Sequence, residues 1–400
     1  MSTSAAFVIV GAGLAGAKAA EALRDKDFDG TIVLIGEEHQ LPYERPPLSK
    51  EFLAGKKTLE DFTVKPRSWY HEHEIDLRLG NRVVSVDPSG HNVTLADGAS
   101  LGYDKLLLAT GSRSRRLPIR GADAPRVHYL RTVEDASALD SVLASGDSLA
   151  VVGAGWIGME VAAAARQRGV DVTVVESAAL PLLAGLGAEN AAVFADLHRE
   201  HGVDLRTGAT VAEITTAGGA AAGLRLGDGS QIRADAVLVA VGAQPNIELA
   251  QHAGLSTGDG GVLVDTGLRS SDPDIYAVGD IAAAQHSLFG TRIRTEHWAN
   301  ALKQPAVATS GMLGEAAEYT ELPYFFTDQY DLGMEYVGYA PRYARVVFRG
   351  DPAGREYTSF WLDDDNRVLA GMNVNIWDGL DDIKALINAQ APVNPDRLTT

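Results

Sequence analysis

"FVIVGAGLAGAKAAEALRDKDFDGTIVLIGE", residues 7–37, reads as a short apolar strand, a G-x-G-x-x-G turn, an alanine-rich helix and a second apolar strand ending in glutamate. Residues 149–177, "LAVVGAGWIGMEVAAAARQRGVDVTVVES", repeat that order. The leading glycines, Gly11 and Gly153, stand 142 residues apart (153 less 11), about the length of a domain. A single glycine-rich turn is weak evidence, but here each turn follows a strand and opens a helix, the context a dinucleotide site requires. Gly11, Gly13 and Gly16, and again Gly153, Gly155 and Gly158, serve a tight turn, close approach to a pyrophosphate and close packing of helix on strand. Leu14 and Ala15 in the first turn, and Trp156 and Ile157 in the second, lie between those glycines and count as candidate nucleotide contacts. Each helix offers free N-terminal amides to the anion. Glu37 and Glu176 end the second strands about 20 residues further on, where a carboxylate accepts hydrogen bonds from a ribose. No arginine follows Glu176 in "VVESAALPLL", so nothing there welcomes a 2′-phosphate, and NADH is expected rather than NADPH. Two dinucleotides in one chain are most simply read as passing electrons between them.

Each half closes on a strand followed by glycine: "YDKLLLATG" at 103–111, ending in Ala109, Thr110 and Gly111, and "ADAVLVAVGAQPN" at 234–246, containing Gly242. Later, "TGLRSSDPDIYAVGD" at 266–280 predicts a strand over 275–278 with Gly279 and Asp280 at its carboxyl end, where open α/β sheets bind ligands. The alternative for Asp280 is a helix N-cap for "IAAAQ". Residues 320–400 alternate in strand fashion ("ARVVFRG", "REYTSFWL", "RVLAGMNV") and end in the helical pattern "DGLDDIKALINA", a small α+β domain.

The chain has 400 residues, 46% of them hydrophobic and 22% charged, enough for two or three cores. Its apolar runs are strand-sized, none spans a membrane, and "MSTSAAFVIVGAG" lacks the features of a signal peptide, so a cytoplasmic protein is expected. The net charge of −18 argues against nucleic acid as a partner. The absence of cysteine excludes disulfides, thiolate catalysis and cysteine-ligated clusters, and the ten histidines show no metal-ligand spacing, so no metal is expected.

One loop is unusual. "LPYERPPLSK", residues 41–50, places Arg45 and Lys50 around two prolines that stiffen the backbone. Together with the paired turns, "LLLATG", "VAVG" and "DIYAVGD", the chain resembles the two-dinucleotide, glutathione-reductase-like flavoproteins. The loop, with "YLRT" at 129–132, "LHREHGVDLRTG" at 197–208 and "TDQYDLG" at 327–333, is similar to the oxygenase-coupled NADH-dependent ferredoxin reductases of the putidaredoxin-reductase type. The resemblance covers nearly the whole chain. It implies an α/β fold of two Rossmann-like domains, with an NAD-binding domain (112–241) inserted in an FAD-binding domain (1–111 and 242–320), followed by a C-terminal α+β domain (321–400).

It also implies roles. Arg45 and Pro46 line the FAD and Lys50 reaches the flavin ring edge, where its charge favours the reduced, negative ring. Val83 and Arg131 touch the FAD, and the helix after Trp298 faces the flavin's pyrimidine end. Glu160, in the first turn of the second glycine-turn helix where the first copy has Lys18, orients the nicotinamide with Lys50 as charge partner. Trp156 either shields that pocket or simply packs. The implied reaction passes a hydride from NADH to FAD and single electrons to a 2Fe–2S ferredoxin serving a cytochrome monooxygenase or ring-hydroxylating dioxygenase, in a monomer or homodimer. Two alternatives share the fold: an NADH-binding redox sensor of the apoptosis-inducing-factor type, and a reductase of quinones or other small acceptors. An acidic ferredoxin meeting an acidic reductase needs a local basic patch, for which Arg113, Arg115 and Arg116 are candidates.

Overall fold

The computed structural model describes residues 5–146 and 148–399. They divide into two units. One comprises residues up to Glu44, Glu60–Arg113 and Gln244–Pro323; the other comprises Arg45–Leu59, Ser114–Ala243 and the chain from Tyr324 onward.

In the first unit a five-stranded parallel sheet runs in the order Ile275–Ala277, Lys105–Leu108, Ala6–Val10, Thr31–Ile35, Ile75–Arg78. Val8 lies opposite Val33 on one side and Leu106 on the other. The three inner strands read as nearly unbroken apolar runs because both sheet faces are covered there; Val8, Ile9, Leu34, Leu107 and Ile275 are fully buried. The helix Leu14–Asp25, rising from the first glycine turn, packs on the helix Trp298–Met312. Two smaller sheets complete the unit: an antiparallel one of Val83–Asp87, Asn92–Leu95 and Ser100–Gly102, and a four-stranded one containing Ala282–His286. That strand removes the alternative for Asp280. "IAAAQ" is not a helix for Asp280 to cap; after a short 3-10 turn at Gly279–Ile281, residues 282–286 pair with Gly261–Val264 and Thr291–Ile293. Alanine favours helix locally, but pairing on both sides of this buried run overrides the preference.

The second unit repeats the plan. Its parallel sheet runs Asp204–Arg206, Val172–Val175, Leu149–Val152, Ala236–Val239, Val127–His128, with Val151 opposite Val174 and Leu238. The helix Trp156–Gln167 follows the second glycine turn. "YLRT" ends in a helix signal: Thr132 caps Val133–Ser145 in a reciprocal capping box with Asp135. The same unit holds the five-stranded antiparallel sheet Tyr324–Gln329, Leu332–Gly338, Val368–Val374, Glu356–Leu362, Arg345–Asp351, packed on the helix Leu380–Ala389. Pro46–Ser49, a 3-10 turn with its prolines at the front, also belongs here. Among the described residues no helix is long and apolar enough to cross a membrane.

Candidate functional site

The two glycine turns are built alike. Gly11 adopts φ +117° and Gly153 φ +100°, and a Cβ on either would lie 2.0 Å from the Ala109 carbonyl oxygen or 2.5 Å from that of Ala240. A side chain at Gly16 would strike the Gly11 carbonyl at 1.9 Å, and one at Gly158 the Gly153 carbonyl at 2.1 Å. These four glycines let helix and strand close on each other. The middle glycines differ: around Gly13 and Gly155 a Cβ would meet nothing within 4 Å. Neither residue gives its helix a side-chain cap. Each turn thus presents uncapped helix amides beside open space, a cradle that fits a pyrophosphate. Leu14 and Ala15 are buried behind the first turn; Ile157 is exposed at the second.

Beyond the turns the acids diverge. Glu37 is exposed and lies 3.9 Å from Arg82. Glu176 accepts from the Ala154 amide (2.7 Å), within the second turn itself, and from the Ala178 amide (2.8 Å). The first unit knots its fourth strand to the returning chain: the Thr110 hydroxyl donates to the Asn246 backbone carbonyl (2.6 Å), the Asn246 side-chain amide donates to the Thr110 carbonyl, and the Asn246 backbone amide donates to the Gly111 carbonyl. Gly279, at φ +74°, donates its amide to Gln304 (2.7 Å), a buried side chain that sequence reasoning missed. Asp280, in the 3-10 turn after the strand Ile275–Ala277, and Val83, the first residue of its strand, are both buried. Trp298 does not precede the last helix of this unit but opens it, and its indole donates to Glu44 (2.9 Å).

In the second unit, Arg45 donates to the Arg131 carbonyl, tying the proline loop to the segment before the capping box. Gly242, at φ +103°, accepts from the Arg115 amide (2.9 Å). Of the candidate basic patch, Arg116 stacks on Tyr129 at 3.9 Å; in the first unit, Arg113 bonds Glu248 (2.6 Å).

A buried polar cluster gathers where the proline loop, the second glycine-turn helix and the strand Tyr324–Gln329 meet. Glu160 is the fifth residue of its helix, just past the first turn in which the sequence places it, and is buried. Its Oε2 accepts from Ser49 (2.5 Å) and its Oε1 from Thr327 (2.6 Å). Lys50 Nζ lies 3.6 Å from Glu160 Oε1, 3.3 Å from Asp328 Oδ2 and 4.0 Å over the Phe326 ring. Burial pushes the Glu160 carboxyl above the ordinary carboxylate range, while the Lys50 charge and the two hydroxyls pull it back. The Lys50–Glu160 pairing expected from the resemblance is therefore present in the fold. Ser49, Phe326, Thr327 and Asp328 complete it; Ser49 stands in "PPLSK" and Thr327 and Asp328 in "TDQYDLG", while Phe326 lies just ahead of that stretch. Trp156 packs in an aromatic row with Phe194 (6.4 Å between centroids) and Phe325 (4.8 Å), which continues to Tyr336 and Trp361. Of its two readings, this row favours packing. Among the described residues no group of three His, Asp or Glu side chains could hold a metal.

Comparison with known proteins agrees with this geometry. The ferredoxin–NAD(+) reductase component of the anthranilate 1,2-dioxygenase system of Burkholderia cepacia is 43% identical over 98% of this chain and 96% of its own length. Rhodocoxin reductase of Rhodococcus erythropolis is 42% identical over 86% of this chain and 80% of its own. A solved structure of a covalent putidaredoxin reductase–putidaredoxin complex matches with a TM-score of 0.95 and 36% identity, over 99% of this chain and 96% of the matched one. Residues 5–305 match the pyridine nucleotide-disulphide oxidoreductase family and residues 324–400 the reductase C-terminal family. With two dinucleotide cradles on parallel sheets and an antiparallel C-terminal domain, the chain belongs to the pyridine nucleotide-disulphide oxidoreductase family, as a member that contains no cysteine.

Proposed function

We propose that the chain is an FAD-dependent NADH:ferredoxin oxidoreductase of an oxygenase system, with a 2Fe–2S ferredoxin as its electron acceptor. The observation that carries the reading is the pair of equally built dinucleotide cradles in a chain that lacks the thiols of a disulfide reductase. The names of the relatives, reductase components of oxygenase systems, support the choice of acceptor. The functional division follows the cradles: FAD on 1–111 and 242–320, NADH on 112–241, and a C-terminal domain on 321–400.

FAD, when bound, supplies the chemistry that accepts a hydride and releases electrons one at a time. The chain's own residues bind and orient. The first cradle holds the FAD pyrophosphate, Glu37 its ribose, and Arg45, Pro46, Val83, Ala109, Thr110, Gly111, Arg131, Gly279, Asp280 and Trp298 are its further contacts. The second cradle holds NADH, with Glu176 on the ribose hydroxyls. Its two backbone bonds fix that carboxylate in place, so a 2′-phosphate meets an anchored negative charge. Glu160 orients the nicotinamide, and Lys50 supplies positive charge that favours a reduced flavin. No general base is needed; positioning and electrostatics do the work.

The test is reduction of the purified flavoprotein by each nucleotide, followed by mixing with 2Fe–2S ferredoxin. NADH should be favoured over NADPH by at least tenfold, about 1.4 kcal/mol, and the ferredoxin should be reduced. Equal efficiencies would remove the role of Glu176. A protein that gains no flavin absorbance with FAD would remove the whole reading.

A further inference from the structure

Beyond Lys50 and Ser49, a line of hydrogen bonds leads from the Glu160 carboxylate into the interior of the second unit. Thr327 Oγ1 lies 2.6 Å from Glu160 Oε1, and Gln329 Nε2 lies 3.2 Å from Thr327 Oγ1. Gln329 Oε1 lies 2.8 Å from His198 Nε2, and the Tyr330 hydroxyl is 3.5 Å from His198 Nδ1. Thr327 and Gln329 are alternate residues of one strand and share a face; His198 comes from the helix Leu183–Glu200. All three are fully buried. Three polar side chains with no access to water are costly unless each is satisfied, and here they satisfy one another.

The direction of the line follows from its end. An ionised carboxylate only accepts, so Thr327 must spend its single proton on Glu160. Its oxygen then accepts from an amide N–H, which fixes Gln329 with Nε2 toward Thr327 and Oε1 toward His198. That oxygen in turn requires a proton on His198 Nε2 and leaves Nδ1 as an acceptor facing Tyr330. Were Glu160 protonated and donating to Thr327, every bond would reverse: the amide would flip and the imidazole proton would move to Nδ1. Burial holds the His198 imidazole down to about 4, so it stays neutral and the line unbroken at neutral pH. The charged groups facing Glu160 are Lys50 and Asp328; the titratable neighbours of His198 are His201 and Tyr330, whose phenol burial holds above its ordinary range.

We propose that Thr327, Gln329 and His198 are positioning residues for the reductase reaction: a one-way hydrogen-bond chain that keeps the Glu160 carboxylate ionised and aimed, with the His198 tautomer reporting its charge state. This rests on the assignment of Glu160 to the nicotinamide.

Two measurements test it. In the flavin-loaded protein with ¹⁵N-labelled histidine, the His198 resonance is the one lost in His198→Asn. It should show the Nε2–H tautomer at neutral pH in the wild type and a mixture of tautomers in Thr327→Val. An Nδ1–H tautomer in the wild type would overturn the direction of the chain. In rapid mixing with NADH, Thr327→Val and Gln329→Leu should each slow reduction of the bound flavin about tenfold, the scale of a lost hydrogen bond to a charged group. The acid limb of their pH profile should move upward, and Thr327→Ser should restore both rate and limb. If Glu160→Gln is slow while Thr327→Val matches the wild type in rate and profile, the positioning chain is wrong and the role of Glu160 stands. If Glu160→Gln itself reduces at the wild-type rate, the assignment of Glu160 fails and the chain has nothing to position.

Discussion

The two glycine turns are one device used twice, and they part company at the fifth residue of the helix. In the first copy that residue is Lys18, partly exposed and bonded to Glu21 at 2.7 Å on its own helix. In the second it is Glu160, buried and held by Ser49, Thr327 and Lys50. What the copies share is what a pyrophosphate needs: glycines against backbone, an uncapped helix end and open space over the middle glycine. They even share an unforeseen brace. Arg24 at the end of the first helix donates to the Gly30 and His73 carbonyls, and Arg166 at the end of the second donates to Val170 and His201. Where the copies differ, the second gains a buried charge pair that no cradle requires. Such a pair costs desolvation and is weak evidence for stability, so its presence at one cradle and not the other points to chemistry.

The largest effect expected from this comparison comes from its shared part. Gly11→Ala would drive a Cβ into the Ala109 carbonyl at 2.0 Å, at a φ that alanine disfavours, and Gly153→Ala into Ala240 at 2.5 Å. The first should yield protein that holds little flavin. The second should keep its flavin and lose reduction by NADH. Flavin absorbance per chain and an NADH titration separate the two, and identical phenotypes would break the division of labour between the cradles.

A smaller effect belongs to the part that differs. Lys50→Met leaves Glu160 buried with its main positive partner removed and should lower stability by about 3 kcal/mol. Lys18→Met, at the partly exposed counterpart of Glu160 in the first copy, should cost under about 1 kcal/mol. Glu160→Gln added to Lys50→Met should recover part of the loss. Thermal melting of the flavin-loaded variants gives the ranking.

A further effect, comparable in size to that of Lys50→Met, is in acid, and both units should feel it. His198 in one and His297 in the other are each depressed to about 4 by burial. Between pH 6.5 and about 4 the unfolded chain binds protons that these imidazoles refuse in the fold, so stability should fall as pH drops through that window. Melting temperature against pH checks this; a flat curve there would mean both rings take protons freely in the fold.

Much of this architecture is legible in the sequence because parallel strands buried on both faces leave apolar runs, and because glycine turns carry their own steric logic. The strand at Ala282–His286 is not legible, since only its two neighbours make a run of alanines extended. The cluster around Glu160 is legible in part. Lys50 and Glu160 stand in recognisable motifs, but Ser49 lies 111 residues from Glu160 and Thr327 lies 167 away, and no local pattern records that convergence. Gln304, Gln329 and His198 are polar residues in apolar surroundings whose partners only the fold supplies.

The central claim is that Lys50 and Glu160 act as one unit in hydride transfer. Anaerobic rapid mixing of NADH with the wild type, Lys50→Met, Glu160→Ala and the double variant measures that step alone. Each single change should leave flavin bound and slow its reduction, and the double variant should lose less activation free energy than the two single losses combined. Strict additivity, or wild-type rates in both single variants, would contradict it and leave the buried pair as scaffold.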